Sequence, residues 1–192
     1  LATGRNQTRI GNRHQLYAPH GVFPCQDDET SVNAPDRWVA IACRDDSEFA
    51  SLCDALGHAD VASEPRFNTL AARHENADAL ETLIASWTKD WKAEDLMTLL
   101  QGRGVPCGVV QNSQDVLDRD PHIQAREYYQ YIDHPETGRA AYDGPVPRLS
   151  KTPGYHAAGG PLFSEHTMDV CERVIGLSMD EIADLLAEGV LV

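Results

Sequence analysis

The sequence DRWVAIACRDDSEFASLCDALG, residues 36–57, decides the fold because two patterns of different period meet within it. Residues 36–43 are mostly apolar and include β-branched side chains, which predicts a buried strand. Four apolar residues then recur at the spacing of one helical face: Phe49, Leu52, Cys53 and Leu56. Asp45 with Glu48 three residues later resembles a capping box, and Gly57 is typical of the end of a helix. The stretch therefore predicts a strand followed directly by a helix.

Similar patterns extend over the rest of the chain. Helical periodicity covers residues 68–87 and 93–101, and residues 105–110 are either a short strand or an extended turn. Tyr128–Asp133 and Arg139–Tyr142 flank a hairpin turn. This order favours a compact α+β domain over residues 36–143. Residues 1–35 form a linker that leads into it. Residues 144–192 begin with a long loop rich in Pro and Gly, which is unusual inside one compact domain.

Charge and composition exclude several classes of function. The 192 residues carry a net charge of -14, although the first 26 hold three arginines and no acid. So acidic a body repels nucleic-acid phosphates, and no nucleic-acid partner is expected. No apolar run approaches the roughly 18 residues of a membrane span, so no membrane association is expected.

The cysteines and histidines point to neither a disulfide framework nor a metal site. The five cysteines are odd in number, widely spaced and without a CxxC pair. This usage fits a reducing cytoplasm. The eight histidines form neither an HExxH motif nor a paired Cys/His ligand spacing, so no metal is expected.

A few residues could carry chemistry, and each has a plainer alternative. Asp45, between strand and helix, is either a general acid or base or a simple helix N-cap. His20, between Pro19 and Gly21, either faces a substrate or is a structural histidine. Cys107, between Pro106 and Gly108, is either a reactive thiol or a small buried residue.

The basic beginning of the chain also has two interpretations. Arg5, Arg9 and Arg13 could bind an anionic group such as a phosphate or a carboxylate. They could equally form a solvated arm whose guanidinium groups pair with acidic residues elsewhere in the chain.

Several phrases, taken in order and spacing, resemble one family. They are GNRH at 11–14, APHGVFPC at 18–25, RWVAIA at 37–42, LCDALG at 52–57, EPRFNT at 64–69, GVPCGVV at 104–110, DHPETG at 133–138 and GPVPRLSKTP at 144–153. The series resembles the class III CoA-transferases, or CaiB/BaiF family, which includes formyl-CoA transferases, carnitine and bile-acid CoA-transferases and 2-methylacyl-CoA racemases.

The resemblance implies a larger protein with a defined architecture. A Rossmann-like large domain comes first in this family, followed by a linker and a smaller α/β domain, after which the chain returns to the large domain. Two such chains interlock as a homodimer. The present chain would be the C-terminal half, with residues 144–192 as the return segment.

The resemblance also implies the chemistry. The family's transferases use an aspartate that attacks the acyl-CoA, which gives a mixed anhydride and then an aspartyl-CoA thioester. That aspartate would lie upstream of this chain, which is therefore expected to be inactive alone. The coenzyme A thioester is a substrate, and no permanently bound cofactor is implied.

Three site residues follow from the resemblance. A glutamate after the first strand of the small domain takes part in the racemase active site, and Asp45 falls at that place as the candidate catalytic residue. Arg44 just before it, and His20 at the place of an aromatic residue lining the acyl pocket, are candidates for substrate binding. A racemase, a dehydratase and a non-enzymatic dimerisation module remain alternatives. No glycine run follows Gly11-Asn12, unlike in formyl-CoA transferases, so a larger carboxylic acid is expected as substrate.

Overall fold

The chain forms two compact units in the computed structural model, residues 1–114 and 115–192. The structure describes residues 4, 9–30 and 36–191. In the first unit the elements are β1 (His20–Cys25), β2 (Arg37–Ala42), α1 (Asp46–Ala55), a 3-10 turn (Ala59–Ser63), α2 (Leu70–Glu75), α3 (Ala77–Thr88), α4 (Ala93–Gly102) and β3 (Cys107–Val109).

The second unit has fewer and shorter elements. They are a π-helical turn (Asp115–Arg119), α5 (Pro121–Ala125), the hairpin strands β4 (Tyr129–His134) and β5 (Gly138–Asp143), α6 (Thr167–Asp169), which continues into a π-helical turn (Val170–Ile175), and α7 (Met179–Ala187). Helices combined with two small antiparallel sheets confirm the predicted α+β class. Among the described residues, no helix has the length and apolarity needed to cross a bilayer.

The first unit is built on a three-stranded antiparallel sheet in the order β1-β2-β3. Alternate residues of its strands are buried, among them Phe23, Val39 and Ile41, and they meet apolar side chains of the helices. The helices contribute Phe49, Leu52, Leu80, Ile84, Leu96 and Leu100. Each of these six is no more than 1% exposed, and full burial of such a side chain stabilises the fold by about 1.5–3 kcal/mol.

Two elements differ from the sequence expectation. The strand β1 lies within residues 1–35, for which a linker was predicted. Its sequence HGVFPC contains Pro24, and a proline is tolerated in an edge strand. The helix expected over 68–87 is two helices, which meet at Asn76. The Asn76 amide Nδ2 donates to the Ala72 carbonyl at 2.9 Å, so this side chain caps the end of α2. The domain boundaries after residues 35 and 143 stay a prediction.

Candidate functional site

One end of the three-stranded sheet brings the predicted site residues to the same place. His20 opens β1 and pairs with Ala42, the last residue of β2. Just beyond this pair, the Cys43 amide donates to the Pro19 carbonyl at 2.8 Å. The turn before β1 and the Arg44–Asp45 turn after β2 therefore lie beside each other, as a candidate site built from both would require.

Asp45 is the N-cap of α1. Its backbone is extended, and its Oδ1 atom accepts a hydrogen bond from the Glu48 amide at 2.8 Å. The side chain is exposed. The capping interpretation is thus confirmed, whereas the catalytic role of Asp45 stays a prediction.

Arg44 is held by Glu48, a residue predicted only as part of a capping box. The Arg44 Nε and its backbone amide each donate to the Glu48 carboxylate at 2.7 Å, and the Nη2 atom binds the same group. These bonds lower the pKa of Glu48 and raise that of Arg44. The buried Glu48 carboxylate therefore fixes the Arg44 guanidinium at the sheet end. The role of Arg44 in substrate binding stays a prediction.

His20 has a fixed ring. Its Nδ1 lies 2.5 Å from the Asn12 carbonyl oxygen. Because a carbonyl can only accept, Nδ1 carries the proton and Nε2 is the nitrogen available to another group. The imidazole of His14 lies against both neighbours, with ring centroids 4.3 Å from Tyr17 and 5.3 Å from His20. The role of His20 in substrate binding likewise stays a prediction.

Arg73 supports this site from the interior of the first unit, and it was not predicted from the sequence as a site residue. It is fully buried, and its guanidinium donates to the Ala18 carbonyl at 2.6 Å, the Phe67 carbonyl at 3.0 Å and the Asp46 carboxylate at 2.7 Å. It thereby ties the turn before His20 to the first turn of α1. Arg73 lies four residues after the EPRFNT phrase, but an arginine within a helical pattern is usually taken as a surface residue.

The other sequence candidates that the structure describes take no part in the hydrogen bonds of His20, Arg44 and Asp45. Arg13 binds the carboxylates of Asp78 and Glu81, which supports the basic-arm interpretation. Arg5 lies outside the described residues, and Arg9 is exposed without an ion pair to any described residue. Burial raises the pKa of the Cys107 thiol to about 12, so it is protonated at neutral pH and a weak nucleophile.

No metal centre is found at this site or elsewhere in the described part of the chain. Nowhere within residues 4, 9–30 and 36–191 do three or more His, Cys, Asp or Glu side chains gather in a way that could hold an ion.

A cavity of about 600 Å³ opens beside His20 on the face of the sheet turned away from the helices. Its floor consists of Val22, Ala40, Ala42 and Gly108, and its rim of Asn12, Arg13, Gln101 and Pro106. The volume lies within the range of about 300–1,000 Å³ that is usual for small-molecule sites.

The chain is similar in sequence to CoA-transferases. It is 33% identical to the succinyl-CoA–D-citramalate CoA-transferase of Chloroflexus aurantiacus, over 98% of this chain and 45% of that protein. It is 32% identical to the succinyl-CoA:mesaconate CoA-transferase of Haloarcula marismortui, over 88% and 40% respectively. The chain thus spans less than half the length of these relatives.

The structure is similar too. The fold matches a CAIB/BAIF family protein from Brucella suis with a TM-score of 0.73 and 28% identity, over 90% of this chain and 42% of that protein. The family model for CoA-transferase family III matches residues 1–167. With a match over most of its length, this chain belongs to the CoA-transferase family III.

Proposed function

We propose that the complete protein moves CoA between an acyl-CoA and a free carboxylic acid. The observation that carries the proposal is the family match over residues 1–167, together with relatives that are CoA-transferases by name. In this proposal the reaction passes through an aspartyl intermediate whose aspartate lies upstream of this chain. The working unit is a homodimer in the cytoplasm, a location that the five free thiols support.

The names of the relatives narrow the substrate class. Two of them transfer CoA from succinyl-CoA to citramalate or mesaconate, and a third, at 28% identity, acts on L-malate. We therefore assign succinyl-CoA as the donor and a short dicarboxylic acid as the acceptor. The absence of a glycine run after Gly11-Asn12 agrees with an acid larger than oxalate.

The chain contributes one wall of the site in this proposal. The Nε2 atom of His20 and the guanidinium of Arg44 meet the acid, since both lie at the same end of the sheet. Glu48 and Arg73 act as positioning residues. The Glu48 carboxylate holds Arg44, and the Arg73 guanidinium holds the turn that precedes His20.

The experiment compares the complete protein with the isolated 192-residue chain. Each is incubated with succinyl-CoA and one of citramalate, mesaconate or malate, and the new thioester is measured by chromatography. We expect transfer by the complete protein and none by the isolated chain, because the attacking aspartate lies upstream. Transfer at equal rates by both would contradict the upstream aspartate, and no transfer by the complete protein to any carboxylic acid would contradict the function.

A further inference from the structure

The face of the β1-β2-β3 sheet turned away from the helices forms a mostly apolar surface, which we name the open sheet face. Its members are His20, Val22, Pro24, Trp38, Ala40, Ala42 and Gly108. The strand register places Val22 beside Ala40 and Ala40 beside Gly108 in one row. Directly paired residues of antiparallel strands project to the same side, so this row forms one floor.

The middle of this floor is made of unusually small residues. Ala40, Ala42 and Gly108 together present two methyl groups and a hydrogen, and Ala40 is exposed. The cavity of about 600 Å³ stands directly on them. Larger side chains of the kind usual in strands would fill this space, so its volume depends on the three small residues.

Side-chain groups that could form hydrogen bonds with a ligand lie at one side of the cavity. The Asn12 amide and the Nε2 atom of His20 have no hydrogen-bond partner among the described residues, while the Gln101 amide is used by the Cys107 carbonyl at 2.7 Å. An apolar floor with two convergent polar groups is the usual make-up of a site for a small ligand. Such a site suits a plain carbon chain that ends in a carboxylate or hydroxyl group.

We infer that the open sheet face binds the carbon chain of the carboxylic acid that receives CoA and that Gly108 sets the size of chain it accepts. The inference rests on the proposed function, since it is an acyl-CoA and a carboxylic acid that bring such a chain to the site. The pantetheine arm of CoA is a poorer fit, because its two amides would lie over alanine and glycine without side-chain partners.

Gly108 offers a clean steric test. A Cβ atom at this position would meet no other atom within 4 Å, and the glycine does not have a positive φ. An added side chain would therefore project over the floor beside Ala40, and a β-branched residue suits a strand. Gly102, in the last turn of α4, also has open space around it but does not line the cavity, so Gly102→Ala is the matched control.

The experiment uses the complete protein with Gly108→Ala, Gly108→Val and Gly102→Ala. Succinyl-CoA is the common donor, and the acceptors are straight-chain acids of increasing length together with mesaconate and citramalate. We expect the KM for the acid to rise with the size of both side chain and acid, by about tenfold for Gly108→Val with the larger acids. The KM for the shortest acid, and every value for Gly102→Ala, should remain within about twofold of wild type.

Three results would overturn the inference. A uniform loss with all acids would place the CoA arm on this floor, and unchanged values would show that no part of the substrate lies there. Thermal unfolding of each variant shows whether a loss of activity comes from misfolding. If Gly108→Val does not fold, the comparison uses Gly108→Ala, which adds a single methyl group. If the wild type transfers no CoA, the proposed function fails. Calorimetric titration of the acids into wild type and Gly108→Val then tests independently whether the acids bind at the open sheet face. Equal affinities there would be the third contrary result.

Discussion

At the scale of single residues, the buried Arg73 joins the turn before His20 to the first turn of α1. Its three acceptors would lose their donor in Arg73→Met, and the Ala18 and Phe67 carbonyls would be left unpaired. An unsatisfied buried group costs about 1–3 kcal/mol, so we expect a loss of about 3 kcal/mol in the free energy of unfolding. Urea denaturation measures it. The control is Arg66→Met, which removes an exposed pair with Glu64 and should cost less than about 1 kcal/mol.

Glu48 should give the first unit a pH-dependent stability. Its folded pKa lies below the ordinary value of 4.5, chiefly because of the hydrogen bond from Arg44. A carboxylate with a lowered folded pKa stabilises the fold above its unfolded pKa and loses that effect as the pH falls through the folded pKa. Glu48→Gln should therefore be less stable than wild type near neutral pH, and the difference should shrink below pH 4.5. Denaturation midpoints at several pH values measure it, with the exposed Glu75→Gln as control. A difference that is constant with pH would contradict the role of the ionised carboxylate.

Substitutions of Asp45 distinguish the transferase hypothesis from the racemase hypothesis. Asparagine caps a helix about as well as aspartate, so Asp45→Asn keeps the hydrogen bond to the Glu48 amide, whereas Asp45→Ala should cost about 1 kcal/mol of stability. If the protein is a transferase, CoA transfer by the complete Asp45→Asn protein should stay within about twofold of wild type, because the upstream aspartate is the nucleophile and asparagine keeps the helix cap. Deuterium exchange at the acyl α-carbon that disappears in this variant would instead support a proton-transfer role for Asp45.

At the scale of elements, a side-chain hydrogen bond joins α3 to the edge strand β1. The fully buried Thr88 at the end of α3 donates from Oγ1 to the Pro24 carbonyl at 2.8 Å. Thr88→Val keeps the shape but leaves this carbonyl without a donor, so we expect a loss of about 1–3 kcal/mol in the free energy of unfolding. The matched control is the exposed Thr82→Val, where the hydroxyl only binds the Asp78 carbonyl within the same helix. Equal losses in the two variants would contradict the bridging role of Thr88.

Elements with strong local patterns could be predicted from the sequence, and those decided by tertiary contacts could not. Helix α1, helix α4 and the β4–β5 hairpin have a clear period and turn residues, and all three are confirmed. Strand β1 was missed because its pairing with β2 is what makes HGVFPC extended. The break at Asn76 was missed because the apolar period continues across it.

The same division applies to the site. His20, Arg44 and Asp45 were predicted from family motifs, and the structure brings all three to one end of the sheet, while their roles stay a prediction. Glu48 and Arg73 were not predicted as site residues. Glu48 holds Arg44 through its buried carboxylate, and the buried Arg73 bonds to Ala18, which is distant along the chain. The small residues of the open sheet face had no motif at all and became visible only through the strand register.

At the scale of the whole molecule, the two units differ in how much core they possess. Among the described residues of 115–192, only Cys171 and Ile182 are buried apolar side chains, whereas the first unit holds the main hydrophobic cluster. We expect residues 1–114 alone to unfold in one cooperative urea transition and residues 115–192 alone to show no cooperative transition, because too little apolar area is buried. Near-ultraviolet circular dichroism of both fragments measures this. A cooperative transition of the second fragment would contradict it.

The proline in the edge strand has a consequence for the behaviour of the protein in concentrated solution. Pro24 has no N–H group, its carbonyl already accepts from Thr88, and the nearby Gln26 amide donates to the Trp91 carbonyl at 2.9 Å. An extended segment of another molecule would therefore find few free backbone groups along this part of β1. Edge strands with such interruptions resist the intermolecular strand pairing that leads to aggregation. We therefore expect this part of β1 to pair poorly with strands of other molecules.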